Sequence, residues 1–275
     1  MRHGAGLLRA LGAAVVTVTF ALPLLFMVTG SLREPQLPPP RTPQLVPEPL
    51  GLASYDRAFD LVDLGRYALN SMLVAAMVAP LSVLVASLAG FALLGLSRRV
   101  TRLVVAASVF ALMIPATALI VPRFTLFRAL GVTDTYVPLV APALLATSPI
   151  YVLLFAWAFR RLPADLYDAC RLADMSPLAI WWRMAMPLVR PVAVGVGVLA
   201  FVISWGNFLD PLVYLYDPDL YTLPLGLRAL AELDRTDYPV LLAGAVVATA
   251  PVVAVFLVAQ RWFLTEYRGS QWLNG

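Results

Sequence analysis

At 275 residues, 61% hydrophobic and 13% charged, with a mean hydropathy of +0.83, the chain is too apolar for a soluble globular protein and falls in the membrane class. The net charge of +4 comes with no lysine at all, every basic side chain being arginine or the lone His3, and no cluster of basic and aromatic residues suggests a nucleic-acid partner. One cysteine, Cys170, excludes an internal disulfide, and one histidine excludes a Cys/His metal site, so no metal is expected.

Long apolar stretches predict six transmembrane helices, over residues 10–32, 70–96, 103–126, 135–159, 189–210 and 238–262, each near the ~20 residues that a bilayer span needs. The expected fold is all-α, one transmembrane domain over 1–275 with both termini on the same side. The first stretch follows Arg2 and Arg9 as a signal peptide would, but it outruns a signal h-region and no small-x-small site follows, so an uncleaved helix is expected. The run PQLPPPRTPQLVPEP reads as extended and polyproline-like. LASYDRAFDLVDLGRYALNS, with Tyr55, Phe59, Leu61 and Leu64, is expected to lie along the interface before the second span. Pro115 and Pro122 predict a bend in the third, and Gly195 and Gly197 predict close packing of the fifth.

Twelve arginines and four acids fall on the side holding both termini and loops 98–102 and 160–190; eight arginines and twelve acids fall on the other. The positive-inside rule therefore puts the termini and loop 160–190 in the cytoplasm.

That loop contains DACRLADMSPLAIWWRMAMPLVRP, from Asp168 to Pro191. Leu166, Ala169, Cys170 and Ala173 form one small apolar helical face. Ser176 is suited to N-cap, and Pro177 to open, a second helix that carries Ile180, Trp181, Trp182 and Met184 and stops at Pro187. On these residues alone two readings stand: an amphipathic connector with both tryptophans among the lipid headgroups, and a docking knob for a soluble partner.

PADLYDACRLADMSPLAIWWRMAMPLVRP resembles the EAA loop of ABC-importer permeases, in their carbohydrate, maltose-type, binding-protein-dependent branch. Asp168-Ala169-Cys170 stand at the Glu-Ala-Ala positions, Asp174 at the glycine, and Met184-Ala185-Met186-Pro187 at the closing motif. MIPATALIVPRFTLFRALGVTDTY, ISWGNFLDPLVYL, TLPLGL and APVVAVFLVAQRWF extend the resemblance over nearly the whole chain. It implies the type I importer permease fold in a multi-pass protein of the bacterial inner membrane. It implies a second homologous permease, two ATPase subunits that carry ATP and magnesium, and an external substrate-binding protein. It further implies that the 160–187 loop is a coupling helix seated in an ATPase cleft. Asp168, Ala169, Cys170, Ala173, Asp174, Met175, Ser176, Pro177, Trp181 and Pro187 would then be the coupling residues. Asp174 departs from the family glycine, though a positive φ costs Asp less than most residues. The EYRGSQWLNG tail also departs from the family's Gly-rich ending. Without lysine the chain cannot supply a Walker A motif, so no cofactor is expected on it and no catalytic residue is assigned.

Ser204, Trp205, Asn207, Phe208 and Asp210 form the most polar patch of the fifth span, and an aromatic beside polar groups suits a sugar. Thr222, Leu223, Pro224, Leu225, Gly226, Leu227 and Arg228 resemble the external loop that reaches into the binding protein. The alternative, an ion-coupled secondary transporter, would need intramembrane ionisable residues, which the charge-free cores of the six spans do not offer. A membrane enzyme would need a catalytic cluster, and none is present in the sequence.

Overall fold

A computed structural model describes residues 2–40, 46, 49–144 and 148–269, with 2–10 and 261–269 as backbone only. The proline-rich run is thus described only in part, and the last six residues of the EYRGSQWLNG tail lie outside the described residues. Among the described residues every regular element is helical. The chain runs α1 (Arg2–Ser31), α2 (Ala53–Leu61), α3 (Leu64–Ala92), α4 (Arg98–Leu112), α5 (Ile120–Ala129), α6 (Val137–Leu144) and α7 (Pro149–Arg160). It continues through α8 (Ala164–Leu172), α9 (Pro177–Leu188), α10 (Arg190–Trp205), α11 (Leu209–Tyr214), α12 (Leu223–Leu233) and α13 (Tyr238–Gly269).

Four spans are long and apolar enough to cross a bilayer alone: Leu11–Ser31, Leu64–Ala92, Val137–Arg160 and Tyr238–Gln260. The third predicted span is bent by 89° between α4 and the Ala116–Ala129 segment, and the fifth, α10, meets α9 at 84°. The first bend has a local cause. Pro115 disfavours helical backbone at the residue before it and cannot continue the ladder, so α4 ends and a 3-10 turn, Ala116–Leu119, restarts the chain. Pro122 sits in the first turn of α5, and the helix passes through it unbroken. Of the two prolines named by the sequence, Pro115 makes the bend.

By packing, the chain divides into two units, residues 1–68 with 223–251 and residues 69–222 with 252–275. In the first, Asp237 is almost wholly buried, pairs with Arg57 Nε at 3.2 Å and accepts the Gln36 N–H at 2.9 Å. Gln36 itself adopts φ +65°. Ser54 donates to the Arg33 carbonyl at 2.6 Å, and α2 turns Ser54 and Ala58 inward while Phe59 stays exposed. In the same unit Gly226 of α12 lies against the Tyr67 ring, with no room for a Cβ.

The core of the second unit is one apolar cluster. It joins Ala86 of α3, Tyr151, Phe155, Ala158 and Phe159 of α7, Trp181 and Ala185 of α9, Val189, and Val196 and Ala200 of α10. Phe155 and Phe159 stack at 5.8 Å, and Phe91 meets Phe159 edge-on at 5.5 Å. Helices α3 and α7 approach closely at Gly90, where a Cβ would meet Phe155 Cβ at 2.8 Å and the Ala156 nitrogen and Val152 oxygen at 2.9 Å. Gly197 has a looser setting than its sequence position suggested: a Cβ there would meet Val83 at 3.6 Å, an ordinary contact.

Gly90→Ala is therefore expected to destabilise the protein by about 1–3 kcal/mol, because backbone atoms must yield, whereas Gly197→Ala should be neutral. Thermal unfolding of the two variants in detergent checks the contrast.

Candidate functional site

The loop singled out in the sequence folds as two short helices with a tight joint. α8 ends in a Schellman turn: the Met175 N–H reaches the Cys170 carbonyl at 3.1 Å, the Asp174 N–H reaches the Arg171 carbonyl at 3.0 Å, and Asp174 takes φ +54°. Asp174 thus fills the left-handed position where glycine is usual, and Asp pays less steric penalty there than most residues. Ser176 then caps α9 by accepting the Ala179 N–H at 3.3 Å, with Pro177 at the first helical position.

The faces of the two helices differ sharply. No residue of α8 is buried: Ala169 and Ala173 are exposed and Cys170 is half-buried. Asp168 pairs only with Arg171, at 3.2 Å and in solvent, a contact of about 0–1 kcal/mol. Tyr167 ties the helix down by donating to the Phe159 carbonyl at 2.9 Å. In α9 the two tryptophans part company. Trp181 is 5% exposed and sits in the apolar core, while Trp182 is 64% exposed. A π-helical turn, Trp181–Ala185, lies just before Pro187, whose ring would clash with the Arg183 carbonyl in a regular α-helix. An apolar groove of about 470 Å³ runs alongside, walled by Leu88, Phe91, Leu178 and Ile180 among others.

The other end of the same core opens into a polar cavity of about 220 Å³. Ser82, Arg123, Ser148, Tyr151, Ser204, Asn207 and Asp210 supply its polar wall, and Ala86, Tyr151 and Ala200 belong both to the cavity and to the core. Arg123 Nη1 pairs with Asp210 Oδ1 at 3.2 Å, and its guanidinium lies 5.7 Å from the centre of the Tyr214 ring. Asn207 Nδ2 donates to Asp210 Oδ2 at 2.9 Å, and Asn207 Oδ1 accepts the Asp210 N–H at 3.2 Å.

Of the predicted path residues, Ser204, Asn207 and Asp210 line this cavity. Trp205 is buried against Phe201, with rings 5.8 Å apart, and Phe208 is not part of the lining. Arg123, Tyr151, Ser82 and Ser148 were missed by sequence reasoning. Arg123 carried a readable signal as the one charge within 103–126, and the structure turns it inward to Asp210. In the external segment, Thr222, Leu223, Leu225 and Gly226 are buried, Pro224 and Leu227 are half-buried, and Arg228 is exposed and paired with Glu232 at 2.8 Å.

Asp134 holds the exit of α11. It adopts φ +58°, its N–H reaches the Tyr214 carbonyl at 2.8 Å, and its carboxylate accepts the Tyr216 and Asp217 N–H groups at 2.9 and 3.0 Å. Those two N–H groups hold its pKa below the ordinary carboxylate value.

Residues 78–268 match the family described as "Binding-protein-dependent transport system inner membrane component". The chain is 30% identical over 260 residues to the arabinooligosaccharides transport system permease protein AraQ of Halalkalibacterium halodurans, covering 94% of this chain and 92% of that one. It is 27% identical over 253 residues to the sulfoquinovosyl glycerol transport system permease protein SmoH of Agrobacterium fabrum, covering 92% and 89%. To the lactose transport system permease protein LacG of Rhizobium radiobacter it is 28% identical over 223 residues, covering 80% and 81%. Its fold is like that of a chain in the crystal structure of a bacterial ABC transporter involved in the import of the acidic polysaccharide alginate, with a TM-score of 0.74, 18% identity, and 95% and 97% of the two chains covered.

Because folding depresses the Asp134 pKa, its turn is stabilised above the unfolded carboxylate pKa, and that contribution is lost as pH falls through the folded value. Hydrogen exchange should find the Tyr216 and Asp217 amides protected near neutral pH. It should find them deprotected in Asp134→Ala at any pH, and in the wild type only in acid.

Proposed function

The chain belongs to the family of binding-protein-dependent transport system inner membrane components, and on that premise we propose that it carries a sugar across the bacterial inner membrane with a second, homologous permease. It is a permease subunit of an ATP-driven importer, and no Walker A lysine exists in it. In this reading two separate ATPase subunits hold ATP and magnesium, and an external binding protein delivers the solute.

One observation carries the coupling role. α8 has no buried residue and leaves Ala169 and the following Ala173 exposed, while α9, joined to it by the Asp174 turn, is anchored in the core by Trp181. A helix that offers a small-residue face and packs against little of its own chain suits insertion into a partner's cleft. The aromatic peg beside it suits transmission of that partner's movement. Asp168, Cys170, Met175, Ser176, Pro177 and Pro187 shape this element, and Trp181 is its inward link. ATP binding closes the ATPase pair, α8 and α9 move with it, and the cavity lined by Ser204, Asn207 and Asp210 opens outward; hydrolysis resets it. The sugar assignment draws on relatives named for arabinooligosaccharides and lactose and on the hydroxyls of Ser82, Ser148, Tyr151 and Ser204 and the Asn207 amide in the cavity wall. Pro224, Leu227 and Arg228, the accessible part of their segment, are the best-placed contacts for the binding protein.

Ala169→Trp should abolish uptake by blocking the cleft while leaving membrane insertion intact. Uptake assays beside quantification of the inserted chain check this, and normal uptake by the variant would refute insertion of α8. Co-purification of ATPases with the wild type, lost in Ala169→Trp, would locate the defect at docking.

A further inference from the structure

Five arginines stand at the cytoplasmic end of the second packing unit. Arg98, Arg99 and Arg102 lie in the first turns of α4, and Arg160 and Arg161 close α7. α4 packs against α7. The buried Thr101, whose hydroxyl donates to the Leu93 carbonyl at 3.5 Å, pins the start of α4 to the end of α3. All five arginines are exposed. Among the described residues none of them has a carboxylate partner: Asp168 is held by Arg171, and neither Asp165 nor Asp174 forms an ion pair with them. Arg161 is held in place, its guanidinium 4.1 Å from the centre of the Trp157 ring one helical turn earlier. That ring is itself exposed. The contact places the charge over the ring and uses none of the guanidinium N–H donors, which stay available for an anion.

Position decides which anion. α7 ends the apolar span Val137–Arg160, and α4 turns apolar directly after Arg102, where Leu103 and Val104 are exposed. The arginines therefore stand at the level of the lipid headgroups, where exposed tryptophans such as Trp157 and Trp182 also belong. A phosphate that carries acyl chains gains twice there. Its oxygens accept charge-assisted hydrogen bonds from the guanidinium groups, and its chains cover the apolar surface that begins beside them. A free phosphate gains only the first contact. We infer that these arginines, with Arg161 fixed over Trp157, form a site for an anionic phospholipid headgroup of the cytoplasmic leaflet. A cluster of about four to eight basic residues next to a membrane helix has the charge that such lipids require. The site lies three residues before α8 begins at Ala164, so it ties the root of the exposed helix to the leaflet.

The full chain is reconstituted in nanodiscs of phosphatidylcholine that contain brominated phosphatidylglycerol or brominated phosphatidylcholine at the same mole fraction, about 0.2. Emission from Trp157 is taken as the difference between the wild type and Trp157→Phe. Brominated phosphatidylglycerol should quench it about threefold more than brominated phosphatidylcholine. The variant R98Q/R99Q/R102Q leaves the Trp157–Arg161 contact untouched and removes only three of the twelve arginines on that side, so the orientation is kept. In it the ratio should fall to about 1.5 or less. Equal quenching by the two lipids in the wild type overturns the inference, and it decides the matter even if the variant fails to insert. A ratio unchanged in the variant overturns it equally. Inorganic phosphate at about 10 mM, compared with sodium chloride of matched ionic strength, separates the other source: loss of the excess with phosphate alone would assign the arginines to a free anion. Loss of the excess when ATPase subunits are bound would assign them to that partner and likewise remove the lipid site.

Discussion

The burial of Trp181 is the contact on which the rest of the second packing unit depends. Its indole lies in the cluster with Phe155, Phe159, Ala185 and Val189, while the next residue, Trp182, faces outward. A large side chain packed at crystal-like density cannot shift alone. Movement of α8 and α9 must therefore be shared by α7 and α10. The same cluster reaches Ala86, Tyr151 and Ala200, which line the polar cavity. A continuous apolar core thus runs from Trp181 of α9 to the residues that line the cavity. Under the proposed coupling role, this continuity is what would carry a push at the surface to the interior.

Local chemistry at each end is consistent with that task. The α8–α9 joint is fixed by a Schellman turn, a serine cap and a proline at the first helical position, each satisfying or removing terminal backbone groups. Such a joint moves as a body. The polar end is held by long-range contacts: Arg123 to Asp210, and Asp134 to the amides after α11. Both members of the Arg123–Asp210 pair line the cavity, so the same contact that ties α5 to α11 also shapes its wall.

Much of this was legible in the sequence, for identifiable reasons. The spans could be read because charge is excluded over bilayer-sized intervals. The α8–α9 joint could be read because capping is local, so Ser176, Pro177 and the strained position of Asp174 announce themselves within a few residues. The sharp bend at Pro115 followed the same logic, although only the structure separates it from Pro122, which sits harmlessly in a first turn. What could not be read depends on distant partners. Arg123 and Asp210 meet only after folding. Which of the adjacent Trp181 and Trp182 turns inward is set by the helices packed around α9, and Trp205 is drawn into a stack with Phe201 that its polar neighbours do not suggest. Gly90 looks like any small residue in an apolar run until α7 lies against it.

If the core carries movement from α8 to the cavity, the cavity's accessibility must follow the nucleotide state of the partner subunits. With Cys170→Ser removing the native thiol, Ser204→Cys can be labelled from outside by a membrane-impermeant thiol reagent, with and without ATP trapped on the partner subunits. The labelling rate should change by about tenfold with nucleotide, within the usual range of allosteric coupling. Trp181→Leu should remove this dependence while the ATPases stay bound. A nucleotide dependence that survives intact in Trp181→Leu would contradict it.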